Sequence, residues 1–182
     1  GHRFSSFRNI AAEQSLELIC DVDHEISEKL IGDPSRIRQL LSHVMNNAFE
    51  HYESGYILLK VYATDINQGL INVEVSHRGK PFSALEKQAI NGSSAREGGI
   101  INTRLAIASQ LIALMNGSTA VKTAPNGLHT LHLSLQLGVP SNSDNSTLRI
   151  RTGLLRNKRL LVVDSNQTFC KVVTKQCSNW GM

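Results

Sequence analysis

The side chains with the most chemical potential lie along one side of a single stretch. Between Asp33 and His51 the polar residues Arg36, Gln39, His43, Asn47 and Glu50 recur at spacings of three and four. In a helix that spacing puts them on a common side. An asparagine amide oxygen in such a row is a hard donor suited to a cation such as magnesium. His43 and His51 add imidazoles, but two histidines without a third ligand do not make a transition-metal site. The alternative is a solvated helix face, and spacing alone leaves both readings open. The cysteines narrow the chemistry: Cys20, Cys170 and Cys177 form no CxxC and no cysteine–histidine spacing. That argues against a zinc site and a disulfide framework, and for a reducing compartment.

The elements that position this row follow from local signals. Asp33 is a natural N-cap, and Pro34 fits N1, where its missing N–H costs nothing. Behind them Ile37, Leu40, Leu41, Val44, Met45, Ala48 and Phe49 form an uninterrupted helical stripe. A helix is expected over residues 4–14 and a strand over 16–22. β-rich runs at 56–64 and 70–75 flank Asp65-Ile-Asn-Gln-Gly69, a hairpin signal. A short helix is expected at 83–90 and a flexible loop at 91–99. A long helix follows at 101–116, with Gly117 as its C′ residue. A last hairpin, 119–123 with 128–137, turns at Pro125-Asn-Gly127. Helices and hairpins segregated in this way predict an α+β fold, a two-layer sandwich with a mixed or antiparallel sheet and helices on one face.

The chain has 182 residues, 41% of them hydrophobic, enough for one domain and a remainder. The expected division is a domain over 1–138, a linker over 139–158 and a remnant over 159–182. The linker mixes Ser, Asn, Gly and Pro with several basic residues, and the remnant is too short to fold alone. Gly1-His2 reads as a cloning remnant on a piece of a longer chain, with no signal-peptide start. No apolar run approaches the roughly 18 residues of a membrane span. A net charge of +4 is mild for nucleic-acid binding, and no aromatic residue interleaves the linker's charges, so no nucleic-acid partner is expected.

The run RIRQLLSHVMNNAFEHYESGYILLKVYATD, then INVEVSHRGKPF, a Gly-rich loop, LAIASQLIALMNG and a final hairpin resembles the ATP-binding catalytic domain of sensor histidine kinases. That is the Bergerat-fold class shared with gyrase, the Hsp90 chaperone and MutL, and the resemblance covers about residues 5–138. It implies about five strands under three helices, with ATP and Mg2+ held between helices beneath a mobile lid. It also implies partners: the dimerisation and phosphoacceptor helices of the same or another sensor kinase, and receiver domains. The location it implies is the cytoplasmic portion of a membrane-anchored sensor.

Position by position, the resemblance keeps the scaffold and alters the chemistry. Asn47-Ala48 keeps the family's magnesium-binding asparagine, while the usual lysine is Glu50 and the usual upstream asparagine is His43. The Asp-x-Gly-x-Gly box reads His77-Arg78-Gly79-Lys80-Pro81, so the adenine-reading aspartate and the second glycine are replaced. The phenylalanine-containing box has no counterpart in Ala89-Ile90-Asn91-Gly92. At the three lid-glycine positions stand Ile100, Asn102 and Arg104. The expected cofactor-binding positions are therefore His43, Asn47, Glu50, His77, Arg78, Gly79 and Arg104, with Asn47 as the metal ligand; no catalytic residue is assigned.

A micromolar to millimolar ATP affinity corresponds to about 4–8 kcal/mol. Losing a hydrogen bond to a charged group forfeits roughly 1.5–3 kcal/mol of that. Exchanging a cation for Glu50 removes one attraction and adds a repulsion, each on the order of 3 kcal/mol near a protein surface before screening. Side chains at glycine positions also obstruct the approach of backbone N–H groups to phosphates. The expectation is a pseudokinase with weak or lost ATP binding that acts through protein contacts. The alternative is an active kinase with unconventional contacts through His43, Asn47, Arg78 and Arg104, in which Arg78, Lys80 and Arg104 partly compensate by meeting the phosphates. Without a triphosphate to close over, the loop at 91–99 is expected either disordered or packed onto the cleft.

Lys158-Arg-Leu-Leu-Val-Val-Asp164-Ser165-Asn166 and the amphipathic run to Trp180 resemble the first strand and helix of a receiver domain. Asp164 keeps one acid of the family's metal-holding pair, and Ser165 replaces the other. A hybrid sensor kinase is the implied parent. The apolar face of this unit is expected to dock on the kinase-like domain or on a second chain.

Overall fold

The computed structural model describes residues 16–23, 26, 30–92, 103–139, 160–162 and 164–179. The expected helix at 4–14, the loop from 93 onward and the linker from 140 onward lie outside these residues. Five strands form one sheet: β1 (Glu17–Val22), β2 (Tyr52–Asp65), β3 (Leu70–Gly79), β4 (Ser118–Thr123) and β5 (Leu128–Gln136), in the order β1-β2-β3-β5-β4. β1 runs parallel to β2 and every other neighbouring pair is antiparallel. Among the described residues four helices accompany them: α1 (Pro34–His51), α2 (Ala84–Ile90), α3 (Thr103–Leu114) and α4 (Gln167–Asn179).

α1 begins as its sequence dictates. The Asp33 carboxylate accepts from the N–H groups of Ser35 at 2.8 Å and Arg36 at 3.3 Å, and Pro34 opens the helix. Leu40, Val44, Met45 and Ala48 from its stripe are buried. They meet Leu105, Ala108, Leu111 and Ile112 of α3 and the inward side chains of the sheet: Ile57, Leu59, Ile71, Val73, Val75, Leu131, Leu133 and Leu135. Alternation along β2, β3 and β5 places polar side chains side by side on the opposite sheet face. There the Tyr62 hydroxyl donates to Glu74 at 3.0 Å, and Ser76 pairs with Thr130 at 2.8 Å. α1, α2 and α3 thus cover one face of a mixed sheet, the expected sandwich.

Three local expectations change. β2 and β3 extend beyond the β-rich runs at 56–64 and 70–75, because Tyr52 pairs with Gly79 and Ser54 with Arg78 past a register shift at Gly55. The turn-like residues of Glu53-Ser54-Gly55 and His77-Arg78-Gly79 conceal that pairing. α3 ends at Leu114, and its left-handed C′ residue is Asn116 (φ 51°), where Gly117 was expected. Gly117 N–H donates to Ile112 O and Asn116 N–H to Ala113 O, the Schellman pattern. Gly117 is needed for a different reason: a Cβ there would lie 1.9 Å from Ser134 O on β5. Finally, residues 160–162 and 164 belong to no strand, although one was expected across 158–164.

α4 lies apart from the other helices. In the β1–β2 register, Leu18, Cys20, Ile57 and Leu59 face the core, so Glu17, Ile19, Asp21 and Tyr56 face the other way. α4 meets this second group: Asn166 bonds Glu17, Thr168 bonds Tyr56 and Lys175 bonds Asp21. The C-terminal segment therefore docks on this domain, on the sheet face opposite α1–α3, but through polar side chains where its apolar face was expected to dock.

Candidate functional site

The site positions converge where the C-terminal half of α1, the end of β3, the start of α2 and the start of α3 meet. Asn47 and His51 are four residues apart on α1 and share a face. Both reach the same carboxylate on α2: Asn47 Nδ2 donates to Glu86 Oε1 at 3.1 Å, and His51 Nε2 lies 2.9 Å from that oxygen. Glu86 is the N3 residue of a capping box, its other oxygen accepting from the Ser83 N–H and hydroxyl, each at 2.9 Å. Burial alone would push this carboxyl upward. The Ser83 bonds, the His51 charge and the Asn47 amide outweigh burial and hold it below its ordinary value. Asn47 is 1% exposed, so it lies in the interior and not along a solvated polar row.

His77 forms the second part. It is 1% exposed, and its ring is ringed by His51, Phe82 and His129, with centroids 5.7–5.8 Å away. β-register places it directly opposite His129, whose Nδ1 bonds Thr123 Oγ1 at 3.0 Å. Neither nitrogen of His77 has a hydrogen-bond partner among the described residues. Burial lowers its pKa to about 4, helped by His51 and His129 and opposed by Glu86. At neutral pH it is an uncharged imidazole inside an aromatic cluster.

The remaining positions have separate fates. Glu50 and Arg104 form an ion pair between α1 and α3, joining residues 54 apart in sequence. Arg78 donates to the Asn126 carbonyl in the β4–β5 turn and so lies with that hairpin. His43, one turn before Asn47, is half-buried on α1. Gly79 has φ 142°, and a Cβ there would sit 2.1 Å from His51 O, which accepts from Lys80 N–H at 2.9 Å. This glycine is required by the junction between α1 and β3, whatever the ligand. Sequence reasoning missed Glu86, Phe82 and His129. The Ser83-x-x-Glu86 capping pattern was the available signal for Glu86; His129 is found only through strand register.

These residues fit magnesium-ATP poorly. A carboxylate that accepts from the adenine amino group has no equivalent in the enclosed neutral His77. Asn47 donates through its amide nitrogen to Glu86, and its amide oxygen is the atom that would hold a metal. Glu50, where the resemblance expects a lysine, is paired to Arg104, where it expects a lid glycine.

Residues 32–139 match the family described as "Histidine kinase-, DNA gyrase B-, and HSP90-like ATPase". The chain belongs to this family. Among its relatives are the sensory/regulatory protein RpfC of Xanthomonas campestris pv. campestris, 30% identical over 159 residues (80% of this chain, 21% of RpfC). The sensor protein TorS of Escherichia coli is 32% identical over 154 residues (84% of this chain, 16% of TorS). The signal transduction histidine-protein kinase BarA of Escherichia coli is 26% identical over 166 residues (85% and 18%). This histidine-kinase-type domain thus spans at most about a fifth of the length of these relatives. Full-length ShkA in complex with AMPPNP superimposes with a TM-score of 0.74 at 20% identity, covering 97% of this chain and 36% of that one. The nucleotide-free catalytic domain of histidine kinase ThkA gives 0.59 at 20% identity, covering 73% and 86%. At such identities the agreement is one of fold.

Proposed function

We propose that this histidine-kinase-type domain is a pseudokinase module that binds ATP and Mg2+ weakly or not at all and works through protein contacts. The observation that carries this reading is the enclosure of His77. At the position that reads adenine in the family stands a buried, neutral imidazole packed against His51, Phe82 and His129. The Glu50–Arg104 pair supports it, because it gives an internal partner to the basic side chain that could otherwise meet a phosphate.

The relatives named as sensor and hybrid histidine kinases favour a parent of that kind. In such a parent the domain would contact the dimerisation and phosphoacceptor helices of its own chain or of another sensor kinase. The segment from 159 onward would be the first β-α unit of a receiver domain, and the whole would be the cytoplasmic part of a membrane-anchored sensor. Among the described residues no helix is long and apolar enough to cross a membrane. Asp164 accepts from Asn166 N–H at 2.7 Å, an Asx-type turn at the position of the receiver's retained acid. With Ser165 beside it, such a receiver would hold a metal weakly.

Isothermal titration of the 182-residue protein with Mg-ATP tests the reading. No saturable heat is expected up to millimolar nucleotide, and a low-micromolar dissociation constant would overturn it in favour of an active kinase.

A further inference from the structure

The polar contact between α4 and the outer face of β1 is not explained by the kinase fold. Thr168, Val172, Lys175 and Gln176 fall at i, i+4, i+7 and i+8, one stripe of the helix. Three of the four are polar, and each polar one meets a definite partner. Thr168 Oγ1 donates to the Tyr56 hydroxyl at 3.0 Å, and Gln176 Nε2 to the Cys20 carbonyl at 3.3 Å. Lys175 Nζ spans both oxygens of Asp21, at 3.3 and 3.4 Å. Ahead of the helix, Asn166 caps it by accepting from Thr168 and Phe169 N–H, while its amide donates to Glu17 Oε2 at 2.6 Å. Asp21 is buried, and Lys175 is its side-chain partner among the described residues.

Two features mark this as a recognition surface and not a piece of core. Apolar burial beneath the stripe is slight, Val172 in it and Ile19 below. The contact is also charge-sorted, two acids on β1 against Lys175 of α4 and the amide of the capping Asn166. Phe169 and Val173 lie on a different arc of the helix and are only half-buried, while Cys177 on that arc is buried.

We propose that the outer face of β1 and β2, with Glu17 and Asp21 as its acidic pair, is a docking site for an amphipathic helix, occupied here by the chain's own α4 in a reversible, charge-read contact. Release of α4 uncovers two complementary surfaces at once, the acidic strand face and the polar helix stripe. Docked or released, α4 stays on the side of the sheet away from His77 and Asn47. The inference does not depend on the receiver resemblance.

Hydrogen exchange of the 182-residue protein tests it, with β3 and β5 as an internal reference for the intact domain. Lys175→Glu should speed amide exchange across residues 167–179 by tenfold or more without altering β3 or β5. Asp21→Lys combined with Lys175→Glu should restore most of the protection, and added salt should weaken it in the unmodified chain. Unchanged exchange in Lys175→Glu, or no recovery in the swapped pair, would overturn the proposal. Protection that rises with protein concentration would also overturn it, since α4 would then be docking on a second copy.

Discussion

Asn47 and Glu86, 39 residues apart, are joined by a buried 3.1 Å hydrogen bond that ties the end of α1 to the start of α2. The asparagine that resembles a metal ligand serves here as a structural donor. The carboxylate it meets also takes both Ser83 donors and His51. Glu86→Ala would strand all of these in a buried place and remove the capping box. It should lower stability by about 2–4 kcal/mol in denaturant unfolding, whereas Glu86→Gln should cost less. A loss under about 0.5 kcal/mol would mean that water replaces the carboxylate.

His77 makes stability depend on pH in a definite direction. Its ordinary value of 6.5 falls to about 4 in the fold, so folding favours the neutral form. The contribution is complete above about pH 6.5 and is lost as pH falls from there toward 4, by roughly 3 kcal/mol in all. Glu86, held below its ordinary value, adds acid sensitivity at still lower pH, as its carboxylate becomes protonated. His77→Phe preserves the ring and removes the proton site. Urea unfolding at intervals from pH 7 to 4 should show a flatter profile for this variant than for the unmodified protein.

The Glu50–Arg104 pair is about half-exposed at both ends, so its coupling should be small. A double-mutant cycle of Glu50→Ala and Arg104→Ala should give at most about 1 kcal/mol, fading in high salt. Its importance is positional, since it links the C-terminal half of α1 to the start of α3. A salt-independent coupling above about 2 kcal/mol would contradict this description.

Gly79 should tolerate no side chain. Gly79→Ala combines a positive φ with a Cβ placed 2.1 Å from the His51 carbonyl. The expected loss is at least about 2 kcal/mol, seen as a lowered melting temperature. Gly117→Ala should be similarly costly, because its Cβ would meet the backbone of β5.

Much of the fold was legible because local signals agreed with one another. Asp33-Pro34 and the stripe from Ile37 to Phe49 specified α1, and alternation specified the strands. What was not legible depended on contacts distant in sequence. Tyr52 and His77 lie outside the β-rich runs that the local pattern marks, and only strand register sets Tyr52 beside Gly79 and His77 against His129. Asn47 looked like part of a polar row because helical angle alone cannot reveal that Glu86 rises to cover it. α4 gave an amphipathic pattern, but nothing local said that its polar stripe would be the one to bind.

The most direct measurement is an amide NMR titration of the isotopically labelled 182-residue protein with Mg-AMPPNP, following the backbone signals of Asn47, His77 and Gly79. If the pocket is sealed by its own histidines and phenylalanine, those three signals should stay put as nucleotide reaches millimolar levels. Saturable shifts of the same signals at micromolar nucleotide would show a working triphosphate site and contradict the account.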